Sequence, residues 1–246
     1  SYDLIYMALT RTATTTATSL ALVESYIHTR QAFRAELEHL TEEGKIAFVC
    51  QQPLILLRTM LTAREALSDI GVPYEDSLQH FAAASIPPQL YFSGPYRQLL
   101  LISKKPFTPQ ESTEMAKEFV AMGFHPAFCP GVYEPRPFDF LAANPEMSPE
   151  QFTKQFNEWW TRPGENDINI LPSTDDKPFV IDLTFGIPDQ FRNFLIGVFA
   201  LAALVGIAFV IVAMQQPGVA VGPIQLSSAA VYFALLGTGF MMVEIS

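Results

Sequence analysis

Apolar and polar residues alternate along the chain in a way that predicts a series of strands and helices. Residues 2–9 are almost continuously apolar, which is typical of a parallel strand covered on both faces. Residues 45–50 and Gln98–Ser103 repeat this pattern. Between these runs, the spacing of apolar positions predicts amphipathic helices over residues 19–40 and 54–70. The order strand–helix–strand–helix–strand predicts an α/β domain with a mostly parallel sheet.

Capping motifs predict where two later helices begin. Residues 108–111, Thr-Pro-Gln-Glu, have the sequence of a capping box with proline at the first helical position, and the helix is expected to reach Met122. Residues 148–151, Ser-Pro-Glu-Gln, predict a second helix that ends at Trp160. Residues 125–129 predict a short last strand between these two helices.

The longest apolar stretch of the chain covers residues 194–214 and contains no charged residue. As a helix it would be roughly 30 Å long, which matches the hydrocarbon core of a bilayer. We therefore expect a transmembrane helix here, and a second, truncated one over residues 226–246 after the loop 215–225. The alternative is a pair of buried core helices. Such helices usually keep a polar face, which residues 194–214 lack.

Charge and cysteine content predict a location for the protein. Arg192 lies just before the apolar stretch, while the loop 215–225 carries no charge, so the positive-inside rule predicts a soluble domain on the cytoplasmic side. Cys50 and Cys129 are isolated among apolar residues, which predicts two buried free thiols in a reducing compartment. The net charge of −10 and the lack of Lys/Arg clusters argue against a nucleic-acid partner.

The composition also predicts a division of the chain. Residues 1–135 are expected to form the α/β domain, residues 136–193 a Pro-rich connector with one short helix, and the remainder the membrane part. The strand pattern at residue 2 and the apolar run at residue 246 suggest that both ends are cut from a longer protein. The four histidines show no metal-ligand spacing, so no metal site is expected.

Four segments together carry a family resemblance. They are YDLIYMAL, SLALVESYIHTRQAFRAELEHLTEEGKIAFVCQQ, RQLLLISKKPFTPQE and STDDKPFVIDL. They resemble the bacterial membrane-embedded spermidine synthase-like proteins, which join a class I S-adenosylmethionine-dependent methyltransferase fold to transmembrane helices. The resemblance implies that the chain is the C-terminal part of such a Rossmann-like domain, in the bacterial inner membrane. Residues 2–9 then correspond to the fourth strand of the fold and residues 45–50 to the fifth.

The resemblance also implies a cofactor and a site. The cofactor is S-adenosylmethionine or its decarboxylated form, and the glycine-rich loop that grips it would lie before Ser1. True spermidine synthases follow the fourth strand with an acidic segment, whose positions fall on Ala8 and Arg11 here. Deprotonating an amine needs a base within reach, and an arginine repels a polycationic amine. Aminopropylation of putrescine is therefore not expected.

The candidate site residues surround the ends of the first two strands. We assign Glu24 and Arg11 as catalytic candidates, the first as an acid/base group and the second as a clamp for an anionic substrate. Thr10 and Gln51 are the cofactor-binding candidates. For Arg11 and Glu24 the alternative is simple solvent exposure.

Residues 175 and 176 form a pair of aspartates that offers two interpretations. Paired carboxylates bind metals or amines, and they also occur in turns and helix caps, which is the favoured interpretation.

The function expected from these features is a membrane-anchored group transferase with a small-molecule or membrane-presented substrate and the lipid bilayer as partner. One alternative is a degenerate transferase domain that acts as a sensor or regulatory module of a membrane protein. Another is an accessory domain of a transporter. An enzyme is favoured, although fold alone does not determine function.

Overall fold

The structure is a computed structural model that describes residues 1–8, 25–90, 97–162, 165–185 and 189–214. It divides the chain into two compact units, Ser1–Gly186 and Ile187–Ser246. In the described part, the strands are β1 Tyr2–Ala8, β2 Leu40–Cys50, β3 Phe81–Ser85, β4 Gln98–Ser103 and β5 His125–Phe128. The helices are α1 Arg30–His39, α2 Pro53–Asp69, α3 Pro109–Ala121, α4 Phe138–Ala143, α5 Pro149–Trp160 and α6 Asp189–Met214.

The five strands form one mixed sheet in the order β1-β2-β4-β3-β5. Strands β1 and β2 are parallel, whereas β4 is antiparallel to both β2 and β3, and β5 is antiparallel to β3. The expectation of a mostly parallel sheet is therefore wrong. The reason is that β3 was not expected, so β4 was placed directly after a helical crossover. In fact β3 lies between α2 and β4 along the chain, and β4 runs back antiparallel to it, as strands joined by a short connection do.

Local sequence explains where the helices begin and end. The Thr108 and Ser148 side chains each accept a hydrogen bond from the backbone N–H three residues later, and the side chains of Glu111 and Gln151 accept one from the backbone N–H of the cap residue. Both predicted capping boxes are confirmed. Gly123 follows α3 with φ +82°, a left-handed conformation that glycine adopts at little cost.

The two faces of the sheet pack against different partners. One face meets α1, α2 and the segment after β5 in the larger core, whose fully buried side chains include Phe33, Phe48, Leu61 and Leu100. The other face meets α3 in a smaller core built around Phe107 and Phe119. On that second face, three large side chains of the edge strand β1 are more than half exposed, namely Tyr2, Leu4 and Tyr6.

Two buried arginines on α2 fasten the segment that follows β5. Arg58 donates to the carbonyl oxygens of Leu171, at 2.8 Å, and of Asp182. Arg64 donates through Nη2 to the carbonyl oxygen of Pro145 at 2.7 Å, and through Nε to Ser77 Oγ at 2.8 Å. The stretch from residue 138 to residue 180, all of which was assigned to a connector, thus supplies side chains to the larger core. The predicted domain boundaries themselves stay predictions.

The second unit contains α6, whose described side chains include several exposed apolar ones, among them Phe194 and Leu204. Because α6 covers residues 194–214, the helix predicted for this stretch is present. The membrane assignment is nevertheless wrong. Throughout the residues that the structure describes, none of the helices has both the length and the apolarity needed to cross a bilayer. The physical reason is that an apolar run predicts a helix, whereas the pattern of the run alone does not identify the medium around that helix.

The location that depended on this span is corrected with it. The expectation of an integral inner-membrane protein with a cytoplasmic domain required residues 194–214 to cross the membrane, and the positive-inside argument from Arg192 has no meaning without a span. The expected second span, over residues 226–246, and the loop before it lie outside the described residues.

Candidate functional site

The register of the strands brings four strand ends to one edge of the sheet. Ala8 at the end of β1 pairs with Val49 near the end of β2. Gln98, the first residue of β4, pairs with Cys50 on one side and with Ser85, the last residue of β3, on the other. The carboxyl ends of β1, β2 and β3 therefore lie together with the beginning of β4. In open α/β sheets, ligands bind beyond the carboxyl ends of the strands.

A cavity of about 210 Å³ lies at this edge. Its lining consists of residues from the ends of β2, β3 and β4 and from the segment between α3 and β5: Val49, Ala84, Ser85, Ile86, Arg97, Gln98, Leu99 and Phe124. We call it the edge cavity. Most of the lining side chains are apolar, and the cavity occupies the position where the topology predicts a ligand site.

The floor of the edge cavity is a row of paired residues across three strands. Leu99 of β4 pairs with Val49 of β2 and with Ala84 of β3. Because side chains at paired positions point to the same face of a sheet, these three lie side by side on the face that α3 covers farther along. Ala84, whose side chain is small, lines the cavity together with Leu99 and Phe124.

Backbone hydrogen bonds hold Arg97 at the edge cavity from both sides. Its N–H donates to the carbonyl oxygen of Cys50 at 2.9 Å, and its own carbonyl oxygen accepts from the N–H of Ile86 at 3.0 Å. The residue is half-buried and immediately precedes β4. The Nε atom of its guanidinium is buried, and the surface of the cavity is almost entirely apolar. One signal in the sequence points to Arg97, because it is a charged residue directly before an apolar strand.

The sequence-predicted site residues divide into two groups. Gln51 directly follows β2 and is half-buried, so it lies at the carboxyl edge as expected, next to the Cys50 carbonyl that Arg97 binds. Thr10, Arg11 and Glu24 lie outside the described residues. Their roles stay predictions.

A second polar cluster lies just before α1. Ser25 Oγ and His28 Nδ1 are 2.5 Å apart, and the His28 ring packs edge-on against Phe48 with 5.3 Å between ring centroids. Burial lowers the pKa of His28 to about 4, so the ring is uncharged at neutral pH and is a weak base. This hydrogen bond between residues three apart closes a single helical turn. We assign this hydrogen bond a structural role.

Thr29 links the same region to the aspartate pair. Its hydroxyl donates to Asp175 Oδ1 at 2.6 Å, and the backbone N–H of Asp175 donates to Gln31 Oε1 at 3.2 Å. Residues 175 and 176 form the turn between Thr174 and Lys177, so the turn interpretation is confirmed. Within the described parts of the chain, no group of three or more His, Cys, Asp or Glu residues is arranged to hold a metal ion.

Burial also moves the pKa values of two thiols and one carboxyl group. Burial raises the pKa of the Cys50 thiol to about 12 and that of the Cys129 thiol to about 11. The expectation of two buried free thiols is confirmed, and such thiols are poor nucleophiles. Burial also raises the pKa of the Glu36 carboxyl on α1 to about 7.

No protein-family model, no curated protein and no solved structure matches this chain. The likeness to spermidine synthase-like proteins therefore rests on the sequence segments alone.

Proposed function

We propose that this chain belongs to a group transferase that binds its small-molecule substrate at the carboxyl edge of the sheet. The donor is S-adenosylmethionine or its decarboxylated form, as the sequence resemblance implies. The observation that carries the proposal is the edge cavity, which lies at the carboxyl ends of β2 and β3. Sites at this edge are the rule in α/β sheets because the loops that follow the strands converge there.

The chemistry of such a transfer determines what the protein must supply. A nucleophile on the acceptor attacks a carbon bound to the positively charged sulfur of the donor, and the carbon–sulfur bond breaks to leave a neutral thioether. The nucleophile releases a proton, which a base must accept. Glu24 is the proposed base, with Arg11 orienting an anionic acceptor. Thr10 and Gln51 are proposed to hold polar groups of the donor.

The residue at the end of β1 supports an acceptor other than putrescine. Ala8 stands where the resemblance places a carboxylate, and it pairs with Val49 near the end of β2. An alanine can neither bind an ammonium group nor accept a proton. Arg97 adds a positive charge to the same edge, which disfavours a diamine.

The experiment uses the natural full-length protein with each donor in turn and a small-molecule extract as acceptor source. We expect S-adenosylhomocysteine from S-adenosylmethionine, or methylthioadenosine from the decarboxylated donor, to accumulate when the extract is present. Glu24→Gln should abolish this product, and the matched control Glu38→Gln, on the exposed side of α1, should keep it. A protein that forms neither product with either donor contradicts the proposal.

One observation favours a second candidate, a ligand-binding sensor without catalysis. Among the residues that the structure describes, those that line the edge cavity include no carboxylate, histidine or thiol. A site that only binds needs none of these groups. Saturable ligand binding at the cavity without turnover of either donor would favour the sensor over the transferase.

A further inference from the structure

The size of the edge cavity limits the ligand group that it can hold. Its volume of about 210 Å³ is smaller than the roughly 300–1,000 Å³ of sites that enclose a drug-sized molecule. It exceeds the roughly 150 Å³ of an engineered apolar cavity that binds benzene. Scaled by volume from benzene, the edge cavity holds about eight carbon atoms. It therefore fits one group of a ligand rather than a whole drug-sized molecule.

Strand alternation explains why the surface of the edge cavity is almost entirely apolar although polar residues belong to its lining. Successive side chains of a strand point to opposite faces of the sheet. Gln98 lies two positions before Leu100, a fully buried member of the larger core, so its side chain points to that face. Ser85 pairs with Gln98 and shares this orientation. Their neighbours Leu99 and Ala84 point to the cavity side, where they belong to the smaller core.

The wall of the edge cavity is also apolar. Phe124 follows α3, and its backbone N–H donates to the carbonyl oxygen of Phe119 at 2.8 Å, which holds this aromatic residue against the end of the helix. A polar group that entered the cavity would lose its hydrogen bonds to water and find an apolar surface instead. An apolar group is stabilised there in proportion to the area that it buries.

The shape of the edge cavity favours an extended ligand group. Val49 and Ala84, at the two ends of the floor, belong to strands two spacings apart, so the floor extends about 10 Å across the sheet. A single benzene ring would leave part of this length empty, whereas an extended aliphatic chain covers it. The cavity is also partly open to solvent, so the polar end of such a ligand can stay in water.

We infer that the edge cavity binds an unbranched aliphatic chain of about eight carbon atoms, which lies on the floor formed by Val49, Leu99 and Ala84. The polar end of the ligand lies at the open side of the cavity. As an assignment of the acceptor, this inference rests on the proposed function, and it makes the acceptor a molecule that carries such a chain. As an assignment of a binding site, it stands on the size, shape and lining of the cavity.

The test is calorimetric titration of the protein with 1-alkanols of four to twelve carbons. The affinity should rise about fourfold per methylene group up to about eight carbons and then level off, because further methylene groups stay in water. 1,8-Octanediol, whose second hydroxyl would be buried, should bind about fivefold to a hundredfold more weakly than 1-octanol. An affinity that rises by the same factor through twelve carbons would overturn the inference. So would a diol that binds as tightly as 1-octanol, or the absence of any binding.

Matched variants of β4 test the position of the site. Leu99 and Leu101 are both half-buried on the same face of the strand; Leu99 lines the edge cavity, whereas Leu101 lies farther along β4. Leu99→Ala should enlarge the cavity and move the levelling point to alkanols longer by about two or three carbons. Leu101→Ala should leave the levelling point at about eight carbons. An equal levelling point in the two variants would contradict the inference.

A variant that fills the edge cavity should have the opposite effect. Ile86→Trp adds volume at the half-buried position after β3 and should weaken 1-octanol binding about tenfold or more, whereas Val120→Trp on the exposed face of α3 should not. Circular dichroism confirms that each variant is folded, and the alkanol series on the unaltered protein decides the inference if a variant is not. 1-Octanol held by the exposed apolar side chains of α6 would not respond to these variants, so unchanged binding in both Leu99→Ala and Ile86→Trp would overturn the inference.

The result is separable from that of the transferase assay. Alkanol binding that follows this pattern, without turnover of either donor, would refute the transferase and keep the aliphatic site. Turnover that survives Ile86→Trp unchanged would support the transferase and overturn the assignment of its acceptor to the cavity.

Discussion

The backbone N–H of Arg97 donates to the carbonyl oxygen of Cys50 at 2.9 Å, and this bond joins the beginning of β4 to the end of β2. Because β4 runs antiparallel to β2, its first residue arrives at the edge where β2 and β3 end. A parallel strand would have brought its last residue there instead. The reversed direction of β4 is thus the reason that an arginine from before the strand reaches the edge cavity.

Arg64 should be a large contributor to stability. It is fully buried on α2 and donates to Ser77 Oγ and to the carbonyl oxygens of Tyr74 and Pro145. Arg64→Met should lower the free energy of unfolding by about 3 kcal/mol, because it leaves buried acceptors without this donor. Urea denaturation measures the change.

The control for this prediction is Arg34→Met. Arg34 forms an exposed pair with Glu38 at 3.0 Å, and exposed pairs of this kind contribute less than about 1 kcal/mol. Equal losses for Arg34→Met and Arg64→Met would contradict the structural role assigned to the buried arginine.

His28 should make the chain less stable in mild acid. Burial lowers its pKa from 6.5 to about 4, so the folded state disfavours the charged ring. The contribution is fully present above pH 6.5 and is lost as the pH falls from 6.5 to 4, by about 3 kcal/mol in total. His28→Gln should remove this part of the pH dependence, measured by urea denaturation between pH 4 and 8.

The exposed His39 provides the matched comparison, and His39→Gln should keep the wild-type profile. His80, whose pKa burial also lowers, is present in both variants and cancels in the comparison. Identical profiles for His28→Gln and the wild type would show that His28 is not buried as described.

Glu36 should have the opposite pH dependence. Burial raises the pKa of its carboxyl to about 7, so the folded state prefers the protonated form. Stability is therefore lost as the pH rises from 4.5 through 7. Glu36→Gln should raise the melting temperature at pH 8 and leave it nearly unchanged at pH 5. A variant that shifts the melting temperature equally at both pH values would refute this assignment.

Two glycines should respond to alanine in opposite directions. A Cβ atom on Gly44 in β2 would lie 2.8 Å from the carbonyl oxygen of Tyr2, so Gly44→Ala should cost about 1–3 kcal/mol. Gly197 in α6 has no heavy atom within 4 Å of the position of a Cβ, and Gly197→Ala should favour the helix by up to about 1 kcal/mol. Thermal denaturation followed by circular dichroism measures both. A neutral Gly44→Ala would mean that β1 does not approach β2 this closely.

Strong local patterns made much of the secondary structure predictable. The continuous apolar run of β4 and the capping boxes at Thr108 and Ser148 occur where the sequence placed them. The residues of β3, Phe-Ala-Ala-Ala-Ser, gave no such signal, because alanine is uncommon in strands and compatible with helices. Missing this one strand also produced the error in the direction of β4.

The candidate site was predictable only in part, because its residues come from distant segments. Gln51 could be placed at the carboxyl edge from the end of an apolar run alone. Arg97 and Phe124 join the edge cavity through pairing of β3 with β4 and through the turn after α3. Those relationships are tertiary, and sequence spacing does not encode them. The same limit explains the membrane error, since an apolar helix does not reveal what surrounds it.

The central claim is that the edge cavity is a ligand site, and a crystal structure of the chain with 8-bromooctanol tests it most directly, because bromine is located by its anomalous scattering without reference to the rest of the ligand. The account predicts a bromine peak inside the edge cavity, in contact with Leu99 and Phe124. A bromine peak elsewhere on the chain, or an edge cavity without one under conditions where the probe binds in solution, would contradict it.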